Sequence, residues 1–97
     1  KLSDSESNLN FSFVQEGWTI AVDFSYYNFN REKIRCFYKK LIELEGKIYL
    51  AKDSTLNREE FNAMFRNFQD WSKIVKKIDP KNIFQSEMSN RLGIKTW

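Results

Sequence analysis

The sequence predicts an α+β fold: a small, mostly antiparallel sheet with helices packed on one face, in the order β-β-α-β-α-α-tail. Three observations carry this. Residues 18–24 (WTIAVDF) alternate between large apolar and small or polar side chains, the period of a half-buried strand. Residues 31–45 carry Ile34, Phe37, Tyr38, Leu41 and Ile42 at helical spacing, which makes one apolar stripe. Residues 47–51 (KIYLA) follow as a short apolar run, so that strand, helix and strand succeed one another as a crossover unit.

In chain order, residues 1–10 (KLSDSESNLN) are rich in Ser, Asn and acid and read as a flexible lead-in. Their abrupt start suggests a chain cut from something longer, and residues 11–97 then form the domain. Residues 11–15 (FSFVQ) read as the first strand and Glu16-Gly17 as its turn. In the second strand Trp18, Ile20, Val22 and Phe24 form a core face. Thr19, Ala21 and Asp23 form a small polar face, suited to solvent or to a ligand. After a loop over 25–30, Asn30 caps the first helix and Gly46 ends it. Asn57 with Glu60 resembles a capping box. Phe61, Met64, Phe65 and Phe68 then form a helical stripe. Trp71, Ile74, Val75 and Ile78 continue it after a break near 66–69, and Asp79-Pro80 stops it. The tail, 81–97, holds the apolar pair Ile83-Phe84 and then SEMSNRLGI.

Composition narrows the chemistry. A chain of 97 residues is enough for one domain. The net charge of +3 is spread along it, and the Lys39-Lys40 and Lys73, Lys76, Lys77 clusters read as solvated helix faces, so no nucleic-acid partner is expected. There is no histidine, which argues against a hydrolytic triad or a zinc site within the chain. The lone Cys36 cannot form an internal disulfide, no apolar run is long enough to span a membrane, and the N-terminus is no signal peptide; the expected compartment is the cytoplasm. Gly17, Gly46 and Gly93 are too few and too scattered for a phosphate-cradling loop, so the chain alone is expected to bind no nucleotide cofactor. Sixteen aromatic residues imply either a dense core or an apolar face that needs a partner, and the second option leaves open a stand-alone interaction module. Lys52 lies at the end of a strand, where it is either a fixed positive charge in a site or an ordinary surface lysine. Tyr49 and Trp18 could line a pocket or belong to the core.

Three segments weight these options. EGWTIAVDF (16–24), GKIYLAKDSTLNREEFNAMF (46–65) and IDPKNIFQSEMSNRLGI (78–94), in this order and spacing, resemble the C-terminal end of FAD-linked oxidases of the vanillyl-alcohol oxidase type. Within that family the decaprenylphosphoryl-ribose oxidase branch is most similar, with its GW-x-x-x-VDF strand, its Y-x-AK-[DE]-S segment and its F-x-S-[DE]-M-x-x-RL ending. The resemblance covers about residues 13–94, and loop 25–30 departs from the family's Pro-containing turn.

The resemblance implies that the chain is part of a larger substrate domain, inactive alone. An upstream FAD-binding domain of the same protein would hold the FAD, and the reaction would oxidise a sugar or alcohol by hydride transfer to flavin. It implies that Lys52 reaches flavin and substrate, with Tyr49 nearby, and that Thr19 and Ala21 line the substrate pocket where several relatives have Asn and Cys. A positive charge at Lys52 would favour the negative charge that develops on reduction. The isolated chain, cut from its flavin domain, is expected to self-associate.

Overall fold

The computed structural model describes residues 12–95. Its regular structure is helical: α1 (Arg31–Glu43), α2 (Arg58–Met64), α3 (Phe68–Ile78) and α4 (Glu87–Arg91), with 3-10 turns at Tyr26–Asn28 and Leu50–Lys52. Helices α1, α2 and α4 each begin where a side chain satisfies a free amide, whereas Asn67 makes no side-chain cap on α3. Asn30 accepts from Lys33 N at 3.1 Å and starts α1. Asn57 and Glu60 form the reciprocal capping box of α2, with bonds of 2.9 and 3.1 Å. Helix α1 ends through Gly46 N to Leu41 O at 2.8 Å, and a Cβ on Gly46 would lie 2.2 Å from the Leu41 side chain. Only glycine fits so close an approach.

The core is built by α1, α2 and the segment after α4. Ile34 and Tyr38 from α1 meet Leu56, Phe61, Met64, Phe65, Leu92 and Ile94. Phe61 is wholly buried; it stacks on Phe65 at 5.1 Å and meets Phe68 edge-on at 5.3 Å. Such ring pairs add to burial. The stripes expected from periodicity are here, with limits: Phe37, Ile74 and Ile78 are exposed, and Trp71 and Phe68 are half-buried against the cluster.

The expected sheet is absent. No strand forms among the described residues, so the α+β assignment is corrected to a helical one. Residues 18–25 have no regular structure, and the expected core face, Trp18, Ile20, Val22 and Phe24, is open to solvent. Residues 47–49 have no regular structure, and Leu50 and Ala51 already belong to the 3-10 turn. The physical reason lies in where the hydrogen bonds go. A helix satisfies its backbone within its own segment, whereas a strand exists only in a ladder with a neighbour. Alternation prepares a face for a sheet without supplying that neighbour. Of the expected first strand, Phe11 lies outside the described residues, as do the lead-in 1–10 and Thr96 and Trp97.

Helix α4 falls in the part of the tail that sequence reading left unassigned. Ser86 and Ser89 cap it reciprocally at 2.9 and 3.0 Å. Its end is turned by Gly93 at φ 62, where a Cβ would meet Arg58.

Candidate functional site

Lys52 is the last residue of the 3-10 turn, which closes from Lys52 N to Tyr49 O at 2.9 Å. Tyr49, in extended conformation, caps that turn, so the chain bends between Tyr49 and Lys52 where the expected strand would run straight on. Both are exposed, and the Lys52 ammonium has no hydrogen-bond or ion-pair partner among the described residues. The Tyr49 ring packs against Phe13 at 4.8 Å between centroids. Gln15 Nε2 donates to Glu45 O at 2.9 Å, and Lys47 Nζ donates to Ser12 O at 3.4 Å. Residues 12–15 thus run beside 45–49, held by side chains.

The stretch after Lys52 is held more firmly than the turn itself. Asp53 is buried, and Leu56 N donates back to Asp53 O at 2.8 Å. From α4, Arg91 Nη1 donates to Asp53 O at 3.1 Å and to Leu56 O at 2.6 Å, while Nη2 donates to Asp53 Oδ2 at 2.9 Å. Arg91 Nε reaches Glu87 at 3.3 Å. From α1, Arg35 donates to Thr55 O and pairs with Glu60, and the Tyr38 and Thr55 hydroxyls share a hydrogen bond. Burial opposes the charged form of Arg91, but the hydrogen bond and charge of Asp53, with Glu87 behind them, outweigh it and hold the guanidinium above its ordinary range. Between α1 and this loop lies an open cleft of about 250 Å³, lined by Phe29, Arg31, Ser54 and Asn57 among others.

A second tether fixes the tail. The Asp79 carboxylate accepts from Ile83 N at 2.8 Å, Phe84 N at 3.0 Å and Lys95 Nζ at 2.6 Å, and both charged side chains are nearly inaccessible. The hydrogen bond from Lys95, then that from Ile83, holds the Asp79 carboxyl below its usual range against the opposing effect of burial.

Of the four expected site residues, Tyr49 and Lys52 are joined by the backbone hydrogen bond that closes the 3-10 turn. Thr19 and Ala21 are exposed on the irregular segment, and no hydrogen bond among the described residues ties either to them. Sequence reading assigned no role to Arg91, Asp53, Arg35 or Thr55. Arg91 and Asp53 are 38 positions apart, and nothing in the local pattern pairs them. Cys36 is free and exposed. Among the described residues no acid or thiol cluster could hold a metal ion, and no helix is long and apolar enough to cross a membrane.

Comparison with known proteins gives two kinds of match. The profile of the D-arabinono-1,4-lactone oxidase family matches residues 8–92. The decaprenylphosphoryl-beta-D-ribose oxidase of Mycolicibacterium smegmatis is 34% identical over 83 residues, covering 86% of this chain and 18% of that protein. An uncharacterized protein in the mprA 5′ region of Streptomyces coelicolor is 33% identical over 49 residues, covering 50% of this chain and 13% of that protein. The chain therefore spans less than a fifth of either relative. No solved structure matches it.

Proposed function

Because the chain belongs to the D-arabinono-1,4-lactone oxidase family of FAD-linked oxidases, we propose that it is the C-terminal part of a substrate domain in an FAD-dependent oxidoreductase. The protein as a whole oxidises a sugar or alcohol C–H/OH group. Lys52 is its contribution to the flavin and substrate site, with Tyr49 beside it, and Thr19 and Ala21 line the substrate side. The carrying observation is the Lys52 ammonium: exposed, unpartnered among the described residues, and carried at the end of a 3-10 turn that closes onto Tyr49 O.

The described residues fit one contact to FAD and no cradle for it. Gly46 and Gly93 are close-packed, with a Cβ meeting Leu41 at 2.2 Å and Arg58 at 2.6 Å; Gly17 alone is open, and a single glycine makes no phosphate loop. The nucleotide belongs to an upstream FAD-binding domain of the same protein. Flavin, when bound, supplies the hydride acceptor. Lys52 supplies a fixed positive charge where negative charge develops, and a charge held in place before reaction costs no reorganisation during it. Tyr49, at the start of the same turn, offers a hydroxyl suited to orienting a polyhydroxylated substrate.

The test is Lys52→Ala in the full-length flavoprotein, followed by stopped-flow flavin reduction at saturating substrate. Loss of one preorganised group of this kind removes roughly 3 kcal/mol of transition-state stabilisation, about a hundredfold. A fall of at least about tenfold, with flavin still bound, is expected. Reduction at the wild-type rate would remove Lys52 from the site.

A further inference from the structure

Lys52 has no side-chain partner among the described residues, so its place is set by the backbone on either side of it. On the N-terminal side that backbone is held by one 3-10 bond, Lys52 N to Tyr49 O at 2.9 Å. On the C-terminal side stands Asp53, and one guanidinium from α4 takes hold of it. Arg91 bonds the carbonyls of Asp53 and Leu56, the two ends of a single turn, and the Asp53 carboxylate as well. We propose that Arg91 is a positioning residue for the reaction, clamping loop 53–56 so that Lys52 is presented at a fixed place. This rests on the reading of Lys52 given above.

The chemistry asks for arginine. Nη1, Nη2 and Nε serve four acceptors: two carbonyls, the Asp53 carboxylate and the Glu87 carboxylate at 3.3 Å. A planar fork spans such acceptors, whereas a lysine ammonium is a point charge on a flexible stem and cannot. Asp53 and Arg91 are both largely shielded, with side chains 12% and 25% accessible, so the pair is screened less than a surface ion pair. Arg35 holds the far side of the same turn through Thr55 O, but it reaches neither Asp53 nor any atom adjacent to Lys52. Of the two arginines, Arg91 is the one bonded to the residue next to Lys52.

The experiment uses the full-length flavoprotein and the variants Arg91→Lys, Lys52→Ala and the pair together. Flavin reduction rate and substrate KM are measured for each, with amide hydrogen exchange as a readout independent of turnover. Arg91→Lys keeps the charge and loses the fork. It is expected to lower the reduction rate about tenfold and to leave KM within about twofold. In the Lys52→Ala background it should add nothing further, because it acts through Lys52. Exchange should quicken at the Lys52 and Leu56 amides and stay unchanged in α1 and α2. A wild-type rate in Arg91→Lys overturns the proposal, and so does a rate loss that adds in full to that of Lys52→Ala. A wild-type rate in Lys52→Ala alone sinks the reading of Lys52 instead, a result separable from the others. Should Arg91→Lys fail to fold, Asp53→Asn keeps the shape and weakens the same clamp, with the same outcomes deciding.

Discussion

The open apolar segment makes a quantitative claim about the isolated chain. Trp18 is 81% accessible, Ile20 80%, Val22 50% and Phe24 56%. Together these expose roughly 400 Å² of side-chain surface, given typical ring and aliphatic areas. At about 25 cal/mol/Å², covering that surface is worth about 10 kcal/mol before costs. Association costs several kcal/mol in lost freedom, and ordering the segment costs more. About 6 kcal/mol at most is then left, which corresponds to binding at tens of micromolar or weaker. The backbone groups of residues 18–24 have no ladder partner among the described residues, which leaves an edge to which a second copy can add. The isolated 97-residue chain is therefore expected to self-associate at tens of micromolar, about the range where such binding shows, in sedimentation equilibrium. Replacing Ile20 and Val22 together by lysine should weaken association at least about tenfold, since both charges must be desolvated in the contact. A monomer at every concentration, melting cooperatively at high temperature, would refute the reasoning. So would association that ignores the double substitution.

Two further outcomes test the fold that carries the site. Phe61→Ala removes a wholly buried ring held by Phe65 and Phe68 and should cost about 3–5 kcal/mol in urea unfolding, whereas Phe84→Ala, at a position 78% accessible, should stay within about 0.5 kcal/mol; equal midpoints would mean the core is misassigned. Asp79 binds its proton less readily when folded than at its ordinary pKa of 3.8, so its stabilisation is complete above that value and is lost as pH falls through the depressed folded value. Asp79→Asn should accordingly be less stable than the native chain at neutral pH and should approach it in acid, and parallel stability curves down to about pH 2 would contradict the tether.

Helices were legible in the sequence because their determinants sit side by side. Asn30, the Asn57/Glu60 box, Gly46 and Asp79-Pro80 each act within four or five residues, and all mark real boundaries. Helix α4 carried the same kind of signal, a Ser86/Ser89 box and a following Gly93, but its brevity and its single apolar Met88 hid it from a search for periodic stripes. The strands were misread because alternation is a property of one segment and pairing a property of two. Residues 18–24 have every local mark of a strand and no neighbour among the described residues. The family resemblance was legible from three motifs taken in series, and the match over residues 8–92 agrees with it.

The same division separates the two halves of the candidate site. Lys52 and Tyr49 are fixed by bonds internal to this chain: a 3-10 turn, a turn closed at Leu56, and arginines from α1 and α4. Thr19 and Ala21 ride on a segment that no ladder holds among the described residues, so their geometry depends on whatever packs against it. A charge that must meet flavin gains from being preorganised, since its effect falls off with misplacement. Residues that shape a substrate pocket can be ordered later, as the wall opposite them is supplied. On the functional reading above, the chain brings a prebuilt cation to the reaction, and the rest of the protein supplies the surroundings that give the pocket its specificity. Substitutions around Arg91 should then act on rate, and substitutions at Thr19 and Ala21 on the choice of substrate.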